Sequence, residues 1–391
     1  MGMQVAYVVV TPYTIRKSRT GAVLARLLAR VSAELVAVRM FAPTKKLAEG
    51  YAAAMYDNVR AKDEQIAGLL RDYILKNFSP DADGRRHRVM MLVFKGENAV
   101  AEVKAVTGSF RSSESTGETV RDSFGDLLIG ADGTAQYFEP AVIAAATPEQ
   151  AAADLRFWCQ FGEQEPELLT NTCTYGNPDK VQQTLVLIKP DSWRQRSSRP
   201  GAIVDMFSRT GLRIIGSKLC QMSVAQALEF YGPVKDVLCR KLSPGIGARA
   251  RELLQAELGC ALPPEAEAVL AQHVGIPYAV DQFERIVEFM TGLRPSTTPE
   301  PDWAKPGRVR IMALIYEGED AVAKIRDVLG PTDPTKAPTG TVRHEFGSNV
   351  MVNTAHASDS PESFKRESGI LRLNECQFPR TIAAALKECS L

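Results

Sequence analysis

The stretch that decides the fold runs from Arg88 to Gly108 as RVMMLVFKGENAVAEVKAVTG, and it recurs from Arg308 to Gly330 as RVRIMALIYEGEDAVAKIRDVLG. Each version begins with an apolar run rich in residues that favour β-strands. A short turn containing glycine and glutamate follows, and then a segment whose apolar residues recur with helical spacing. The pattern therefore predicts a strand leading through a tight turn into a helix, twice in one chain.

Further matched segments extend this repeat in both directions. They pair Pro12 with Pro190, Arg121 with Arg343, and Pro148 with Pro361. The order is kept while the spacing changes, and only two domain-sized copies exist, so the chain is a duplicated domain and not a solenoid array. We predict a first copy over 1–165 and a second copy over 180–391, with a long insertion at about 232–281. The polar, turn-rich stretch 162–183 is the predicted boundary.

The second copy shows its element order most clearly. Strands are predicted for TLVLIKP, LRIIGSKLCQM, RVRIMALIYEG and NVMVNTA, with amphipathic helices between them. Ser360 and Pro361 suit the N-cap and first position of the last helix. The order βαββαβ predicts an α+β fold of two ferredoxin-like domains with antiparallel sheets flanked by helices. That fold hosts many activities, so it does not define a function.

Composition narrows the class of protein. The chain has 391 residues, of which 45% are hydrophobic and 24% charged, and its formal net charge is +1. This balance is ordinary for a globular protein and gives no support to binding of nucleic acid or a membrane surface. Seven cysteines without CxxC spacing favour a reducing compartment over a disulfide framework or a zinc site. With no basic segment before the first apolar run and no run long enough to span a bilayer, we expect a cytoplasmic protein.

The second copy also carries a set of polar residues suited to one kind of chemistry. They follow the strands and turns in this order: Lys189, Arg326, Thr332, Arg343, Asn353, His356 and Glu367. Three cations, a hydroxyl and an amide are what a polyphosphate needs, and a neutral imidazole beside them can attack phosphorus. Each residue alone has an ordinary structural explanation, such as a lysine at a strand end. Their joint order is what indicates function.

From about Thr184 to Leu371 the sequence resembles nucleoside diphosphate kinase. The resemblance is carried by IKPD at 188–191, EFY ending at Tyr231, GTVR at 340–343 and NTAHASDS from Asn353. It implies that His356 accepts phosphate, that Glu367 orients it, and that Ser358 belongs to the family's His-x-Ser-Asp signature. It implies a further catalytic role for Lys189. The residues implied to bind nucleotide are Lys189, Tyr231, Arg326, Thr332, Arg343 and Asn353.

The resemblance implies a ping-pong reaction in which nucleoside triphosphate gives its γ-phosphate to His356 and a nucleoside diphosphate collects it. Mg²⁺ would enter on the nucleotide phosphates without a direct protein ligand. Family members assemble from paired domains, so we expect an intrachain pseudo-dimer and a trimer that forms a pseudo-hexamer. Two alternatives stay open: a non-catalytic nucleotide-sensing or scaffold protein, and a phosphorelay protein whose acceptor is another protein.

Two departures from the family pattern stand out. Gln282 falls where the family has a base-stacking phenylalanine, with Phe283 beside it, so stacking on the base is not expected from this position. The first copy departs further, at five matched positions occupied by Thr11, Lys104, Phe110, Ile143 and Asp154. Because isoleucine stands where the histidine would be, we expect the first copy to be catalytically silent.

Overall fold

The computed structural model describes residues 2–111 and 114–390. Contacts between residues divide the chain into two compact units, one made of Met1–Leu219 with Met312–Leu391 and the other of Cys220–Ile311. Within the first unit, each copy of the repeat builds its own four-stranded sheet of antiparallel pairs. The predicted α+β class with two ferredoxin-like sheets flanked by helices is confirmed.

The first copy contains six strands and seven helices over its described residues. The strands are β1 Met3–Val10, β2 Glu34–Phe41, β3 Val89–Glu97, β4 Asp126–Ile129, β5 Ala135–Glu139 and β6 Val142–Ala144. The helices are α1 Pro12–Arg16, α2 Thr20–Arg30, α3 Lys45–Arg60, α4 Glu64–Phe78, α5 Ala99–Thr107, α6 Val120–Phe124 and α7 Pro148–Gly162. The main sheet has the order β2-β3-β1-β6, and β4 and β5 form a separate hairpin.

The rest of the chain follows the same plan with additional helices. The strands are β7 Val181–Ile188, β8 Arg213–Cys220, β9 Ile311–Glu319 and β10 Ala355–Ala357. The helices are α8 Arg199–Ser208, α9 Val224–Phe230, α10 Gly232–Leu258, α11 Glu265–Leu270, α12 Ile276–Thr291, α13 Ala321–Leu329, α14 Val342–Phe346, α15 Pro361–Ile370 and α16 Phe378–Glu388. The sheet order is β10-β7-β9-β8, which matches the first copy's order read from its other edge, β6-β1-β3-β2.

The central strand β1 is buried along nearly its whole length because both faces of its sheet are covered. Alternate residues Val5, Tyr7 and Val9 join a core cluster with side chains from α3, α4, α7 and α16. Helix α5 also packs on β1. Burial on both faces explains why the strand is a continuous apolar run and does not alternate with polar residues.

Helix α16 packs on the core of the first copy, although it follows the second copy in sequence. Phe378, Ile382 and Leu386 are buried and belong to the same cluster as Phe41 and Trp158. The rings of Phe41 and Phe378 meet edge to face at 5.4 Å. This helix was not predicted from the sequence.

The two copies contact each other through equivalent helices, α2 and α8. A Cβ atom on Gly21 would lie 2.2 Å from the backbone nitrogen of Asp205, and one on Gly201 would lie 2.0 Å from that of Ala25. These distances are too short for any side chain, so glycine is required on both helices for the backbones to approach this closely.

The second unit is helical over most of its length. A π-helical turn, Ala271–Gly275, joins α11 to α12, and α10 packs along this continuous helix. The contact uses small residues: a Cβ atom on Gly247 would lie 2.6 Å from the backbone nitrogen of Ala271, and one on Gly275 would lie 2.4 Å from the carbonyl oxygen of Ser243. The predicted insertion at 232–281 falls within this unit.

One predicted strand is wrong. NVMVNTA was expected to be extended from 349 to 355, but the strand is the three-residue β10, Ala355–Ala357. Asn349 Oδ1 instead accepts the backbone N–H groups of Met351 and Val352, and Thr354 has φ +76°. A side-chain turn followed by a left-handed residue interrupts strand pairing. Ser360 does cap α15 with Pro361 at its start, as predicted.

None of the helices in the described parts of the chain combines the length and the apolar character that crossing a lipid bilayer would need.

We predict that Ile382→Ala lowers the free energy of unfolding by about 2–5 kcal/mol, because it removes a side chain that is 1% exposed from a packed core. Urea denaturation measures the effect. Lys387→Ala, five residues further along on the exposed face of α16, is the matched control and should change the free energy by less than about 0.5 kcal/mol. Equal effects of both variants would show that α16 does not contribute to the core of the first copy.

Candidate functional site

The short strand β10 places His356 next to the end of β7. His356 lies opposite Leu187 in the antiparallel pairing of β10 with β7. The backbone N–H of Lys189, directly after β7, donates to the carbonyl oxygen of Thr354 at 2.9 Å. Two segments more than 160 residues apart in sequence are thereby joined at the point where the candidate residues collect.

The imidazole of His356 is oriented by a buried carboxylate. Its Nε2 lies 3.1 Å from Oε1 of Glu367, and the other carboxylate oxygen accepts a hydrogen bond of 2.6 Å from the Ser358 hydroxyl. An ionised carboxylate only accepts hydrogen bonds, so this contact puts the proton of a neutral ring on Nε2 and the lone pair on Nδ1. Glu367 is 4% exposed while the His356 side chain keeps 22%, so the orienting group is buried and the ring is accessible.

Lys189 and Asn353 form a buried pair beside the histidine. Lys189 Nζ donates to Asn353 Oδ1 at 2.7 Å, and the amide nitrogen of Asn353 donates to the carbonyl oxygens of Thr332 and Val350. Burial, together with the positive charge of Arg343, lowers the pKa of Lys189 to about 7, while Asp191 opposes this shift. A lysine poised near neutral pH gains its full charge when an anion approaches.

Arg343 lies between the loop after α13 and the strand that carries His356. Its guanidinium donates to the carbonyl oxygen of Gly330 at 2.9 Å and to that of Ala355 at 3.1 Å. In the first copy, Arg121 makes the matching bonds to Gly108 and Val142. The contacts that Arg343 makes with the backbone are therefore part of the scaffold and are kept in a copy without the histidine.

Arg326 and Thr332 lie at the edge of this group, and both are exposed. Thr332 contacts the other candidates through its carbonyl oxygen, which Asn353 binds at 3.0 Å. The pKa of Asp359 is lowered, mainly by a hydrogen bond from Ser363 and in addition by the charges of Arg326 and His356. Arg326 and His356 are thus both within electrostatic reach of Asp359.

The second unit contains Tyr231, which the resemblance implies to bind nucleotide, and Gln282, at the place of the family's base-stacking phenylalanine. Tyr231 ends α9, is 7% exposed, and has its ring centroid 4.9 Å from that of Phe230. Gln282 lies half-buried on α12. Phe283 is 2% exposed and is part of the interior of that unit, with Lys235 Nζ 5.8 Å from its ring centroid.

The first copy shows what occupies the same positions without a histidine. Ile143 on β6 lies opposite Val9, and Val9 matches Leu187 when Pro12 is aligned with Pro190, so Ile143 holds the register position of His356. Asp154, at the place of Glu367, accepts a hydrogen bond of 2.8 Å from Tyr7. Burial raises the pKa of Asp154 to about 6.

A carboxylate of the first copy fills the region that corresponds to Lys189. Thr11, at the lysine's position, donates to Glu139 Oε1 at 3.1 Å, and Tyr73 donates to the same carboxyl group at 2.8 Å. Glu139 is 4% exposed and burial raises its pKa. Where the second copy presents a lysine and an amide, the first copy presents its own carboxyl group, which disfavours phosphate there.

In the second copy, Arg199 and Thr354 were not predicted to take part in the candidate site. Arg199, at the start of α8, donates to the side chains of Asp191 and Thr354. Asp191 was visible in IKPD, but the sequence contains no signal that Thr354 adopts a left-handed conformation or that Arg199, eight residues after Asp191, bonds to both side chains.

The chain is similar to known nucleoside diphosphate kinases. The family model described as nucleoside diphosphate kinase matches residues 182–238 and 300–375. The nucleoside diphosphate kinase of Bdellovibrio bacteriovorus is 33% identical over 187 residues, which cover 48% of this chain and 89% of that protein. That of Staphylothermus marinus is 30% identical over 191 residues, 49% of this chain and 92% of that protein.

Among solved structures, the nucleoside diphosphate kinase of Aquifex aeolicus aligns at 25% identity over 49% of this chain and 94% of that one, with a TM-score of 0.30. The assignment to a family rests on the two sequence relatives, because the chain is 33% and 30% identical to them and covers 89% and 92% of their lengths. The chain belongs to the nucleoside diphosphate kinase family.

We predict that Asp154→Asn raises the free energy of unfolding by about 3 kcal/mol at pH 8, since a shift of the pKa from 3.8 to about 6 corresponds to roughly 1.4 kcal/mol per unit. The folded-state pKa is raised, so the wild-type protein loses stability as the pH rises from 4 through 6, whereas the amide cannot ionise and can still accept from Tyr7.

Urea denaturation of both proteins between pH 5 and pH 8 checks this. The difference between variant and wild type should grow up to about pH 7 and then level off. If the variant were less stable than the wild type at pH 8, the prediction that the ionised carboxylate of Asp154 destabilises the folded protein would be wrong.

Proposed function

We propose that this protein is a nucleoside diphosphate kinase that transfers the γ-phosphate of a nucleoside triphosphate to a nucleoside diphosphate through phosphorylated His356. The observation that carries the proposal is the ring of His356, which a buried glutamate orients through Nε2, beside the buried Lys189 and Asn353. Membership of the family supports it.

In the first half-reaction, Nδ1 of His356 attacks the γ-phosphorus. A phosphorus–nitrogen bond forms, the bond from phosphorus to the bridging oxygen breaks, and the diphosphate leaves with that electron pair. The proton stays on Nε2, which donates it in a hydrogen bond to Glu367, and the carboxylate stabilises the positive charge that develops on the ring. Lys189, Arg326 and Arg343 offset the charge of the transferring group, and such fixed electrostatics supply most of the rate in phosphoryl transfer.

In the second half-reaction, a terminal oxygen of a nucleoside diphosphate attacks the phosphorus and the bond to Nδ1 breaks. The ring returns to its neutral form with the proton still on Nε2. Lys189 and Asn353 also suit the ribose hydroxyls of both nucleotides. We assign Thr332 and Tyr231 to nucleotide binding on the family resemblance alone.

The side chains that converge near His356 are mostly cations, an amide and hydroxyls, which suit phosphate oxygens better than they suit a metal ion. We therefore propose that no protein side chain binds Mg²⁺ directly and that the ion is carried by the nucleotide phosphates. When bound there, it neutralises part of the phosphate charge.

We further propose that the reaction belongs to the second copy, in a cytoplasmic protein, and that the first copy serves as its structural partner. Ile143 offers no nucleophile, and Glu139 lies where phosphate would be expected. The paired glycines of α2 and α8 support an intrachain pseudo-dimer. A trimer of such chains would place three sites in a pseudo-hexamer.

The first test of the proposal is incubation with [γ-³²P]ATP, after which one sample is quenched in alkali and a second, freed of ATP, is chased with unlabelled GDP. Label should become bound to the protein in an acid-labile, base-stable form and then move to GTP. His356→Ala should abolish both steps. His273→Ala, a replacement in the second unit, is the control and should keep them. Transfer to GDP that requires both nucleotides to be bound together, or label that survives in His356→Ala, would refute the proposal.

The second test uses the pKa of Lys189, which burial and Arg343 lower to about 7. Below pH 7 the lysine is charged before nucleotide binds, whereas above pH 7 binding must take up a proton, which weakens affinity by at most about tenfold per pH unit. We expect the wild type to bind ATP more tightly than Lys189→Gln at pH 6. This advantage should shrink by pH 8.

Titration calorimetry at pH 6, 7 and 8 in buffers of different ionisation enthalpy measures both the affinity and the proton uptake. Comparing the two proteins at each pH cancels the titration of ATP itself. An affinity ratio that is constant across this range would show that Lys189 keeps its charge when buried.

A further inference from the structure

Arg199 joins three segments at the turn that leads into β10. One of its terminal nitrogens, Nη2, lies 2.7 Å from Asp191 Oδ2, 2.8 Å from the carbonyl oxygen of Phe346 and 2.9 Å from the Thr354 hydroxyl. The Asp191 side chain is 2% exposed and Thr354 is fully buried. The guanidinium therefore connects the turn after β7, the end of α14 and the turn that leads into β10.

Thr354 occupies a conformation that its side chain disfavours. Its φ is +76°, and a β-branched residue rarely enters the left-handed region. Such a residue persists only where its surroundings hold it there. Its carbonyl oxygen accepts from the backbone of Lys189 and its hydroxyl accepts from Arg199. Thr354 directly follows Asn353, which binds Lys189, and precedes His356 by two residues.

The first copy provides a comparison within the same chain. Ala141, at the position matching Thr354, also has a positive φ, +57°, and its carbonyl oxygen likewise accepts from the backbone N–H of Thr11. An alanine has no hydroxyl to accept from an arginine. Arg19 matches Arg199 and lies over the ring of Phe124 at 5.7 Å, as Arg199 does over Phe346 at 5.9 Å. The hydroxyl–guanidinium bond thus accompanies the histidine, whereas the backbone turn is common to both copies.

We infer that Arg199 and the Thr354 hydroxyl are positioning residues, which fix the turn at 353–355 so that the His356 ring meets Glu367 and Asn353 meets Lys189. The inference rests on the proposed function for its kinetic consequence. Its structural consequence, a single orientation of the imidazole, is independent of any nucleotide.

The variants separate the hydroxyl from the rest of the residue. Thr354→Val keeps the β-branched shape and removes the hydroxyl, Thr354→Ser keeps the hydroxyl, and Arg199→Met removes the donor. Arg19→Met is the matched control in the first copy. Small displacements of reacting groups reduce rates strongly, so phosphohistidine formation in a single turnover should slow about tenfold in Thr354→Val and at least as much in Arg199→Met. Thr354→Ser and Arg19→Met should stay within about twofold of the wild type.

Because Thr354→Val and Arg199→Met remove two ends of one bond, the double variant should be no slower than Arg199→Met alone. Effects that multiply would show that the two residues act separately, and would overturn the inference. An equal loss of rate in Arg19→Met would do the same, since it would indicate a general disturbance of the fold.

The second readout needs no nucleotide. The chain has only four histidines, so ¹⁵N NMR of the ring nitrogens can be assigned by replacing each in turn. In the wild type, His356 should show one Nε2-protonated form, and in Thr354→Val it should show mixed or exchange-broadened forms. Unchanged ring signals in that variant overturn the inference, whatever the rate.

The two readouts also separate this inference from the proposed function. If the wild type forms no phosphohistidine, the proposed function fails, and the ring spectra alone decide whether Arg199 and Thr354 position His356. If the wild type is active and Thr354→Val matches it in rate and spectrum, the positioning role fails and the proposed function stands.

Discussion

The left-handed turn at Thr354 is the constraint on which the candidate site depends. A single residue with positive φ redirects the chain between the side chain that binds Lys189 and the strand that carries His356. Without it, the extended path predicted for NVMVNTA would continue through this turn and alter the register of His356. The cost of such a conformation is of order 1–3 kcal/mol, which the hydrogen bonds of its carbonyl and hydroxyl groups help to offset.

The duplicated domain separates what the backbone needs from what the chemistry needs. Ala141 repeats the positive φ, and Arg121 repeats the carbonyl contacts of Arg343, in a copy whose strand carries isoleucine in place of histidine. Those features therefore maintain the loop and short strand whether or not phosphate is bound. The second copy differs by the carboxylate that orients His356, the lysine–asparagine pair and the Thr354 hydroxyl, and these are the features on which its proposed chemistry rests.

The sequence predicted the sheets well because buried strands and the turns after them leave local patterns, and the pattern occurs twice. It also brought together His356, Ser358 and Glu367, whose spacing across one strand and one helix is short enough to be visible. It did not predict β10 correctly, because neither propensity nor periodicity indicates a left-handed threonine. Nor did it indicate the burial that lowers the pKa of Lys189, which depends on segments distant in sequence.

Helix α16 illustrates a different limit of sequence analysis. An amphipathic pattern shows that a helix has an apolar face but not which core that face covers. Here Phe378, Ile382 and Leu386 follow the second copy and complete the core of the first. A chain without the first copy would expose these side chains, together with the glycine face of α8 that packs on α2. The copy that lacks the histidine is thus part of the structural framework of the chain, and this requirement alone gives a physical reason for it to keep its fold with isoleucine in the histidine's place.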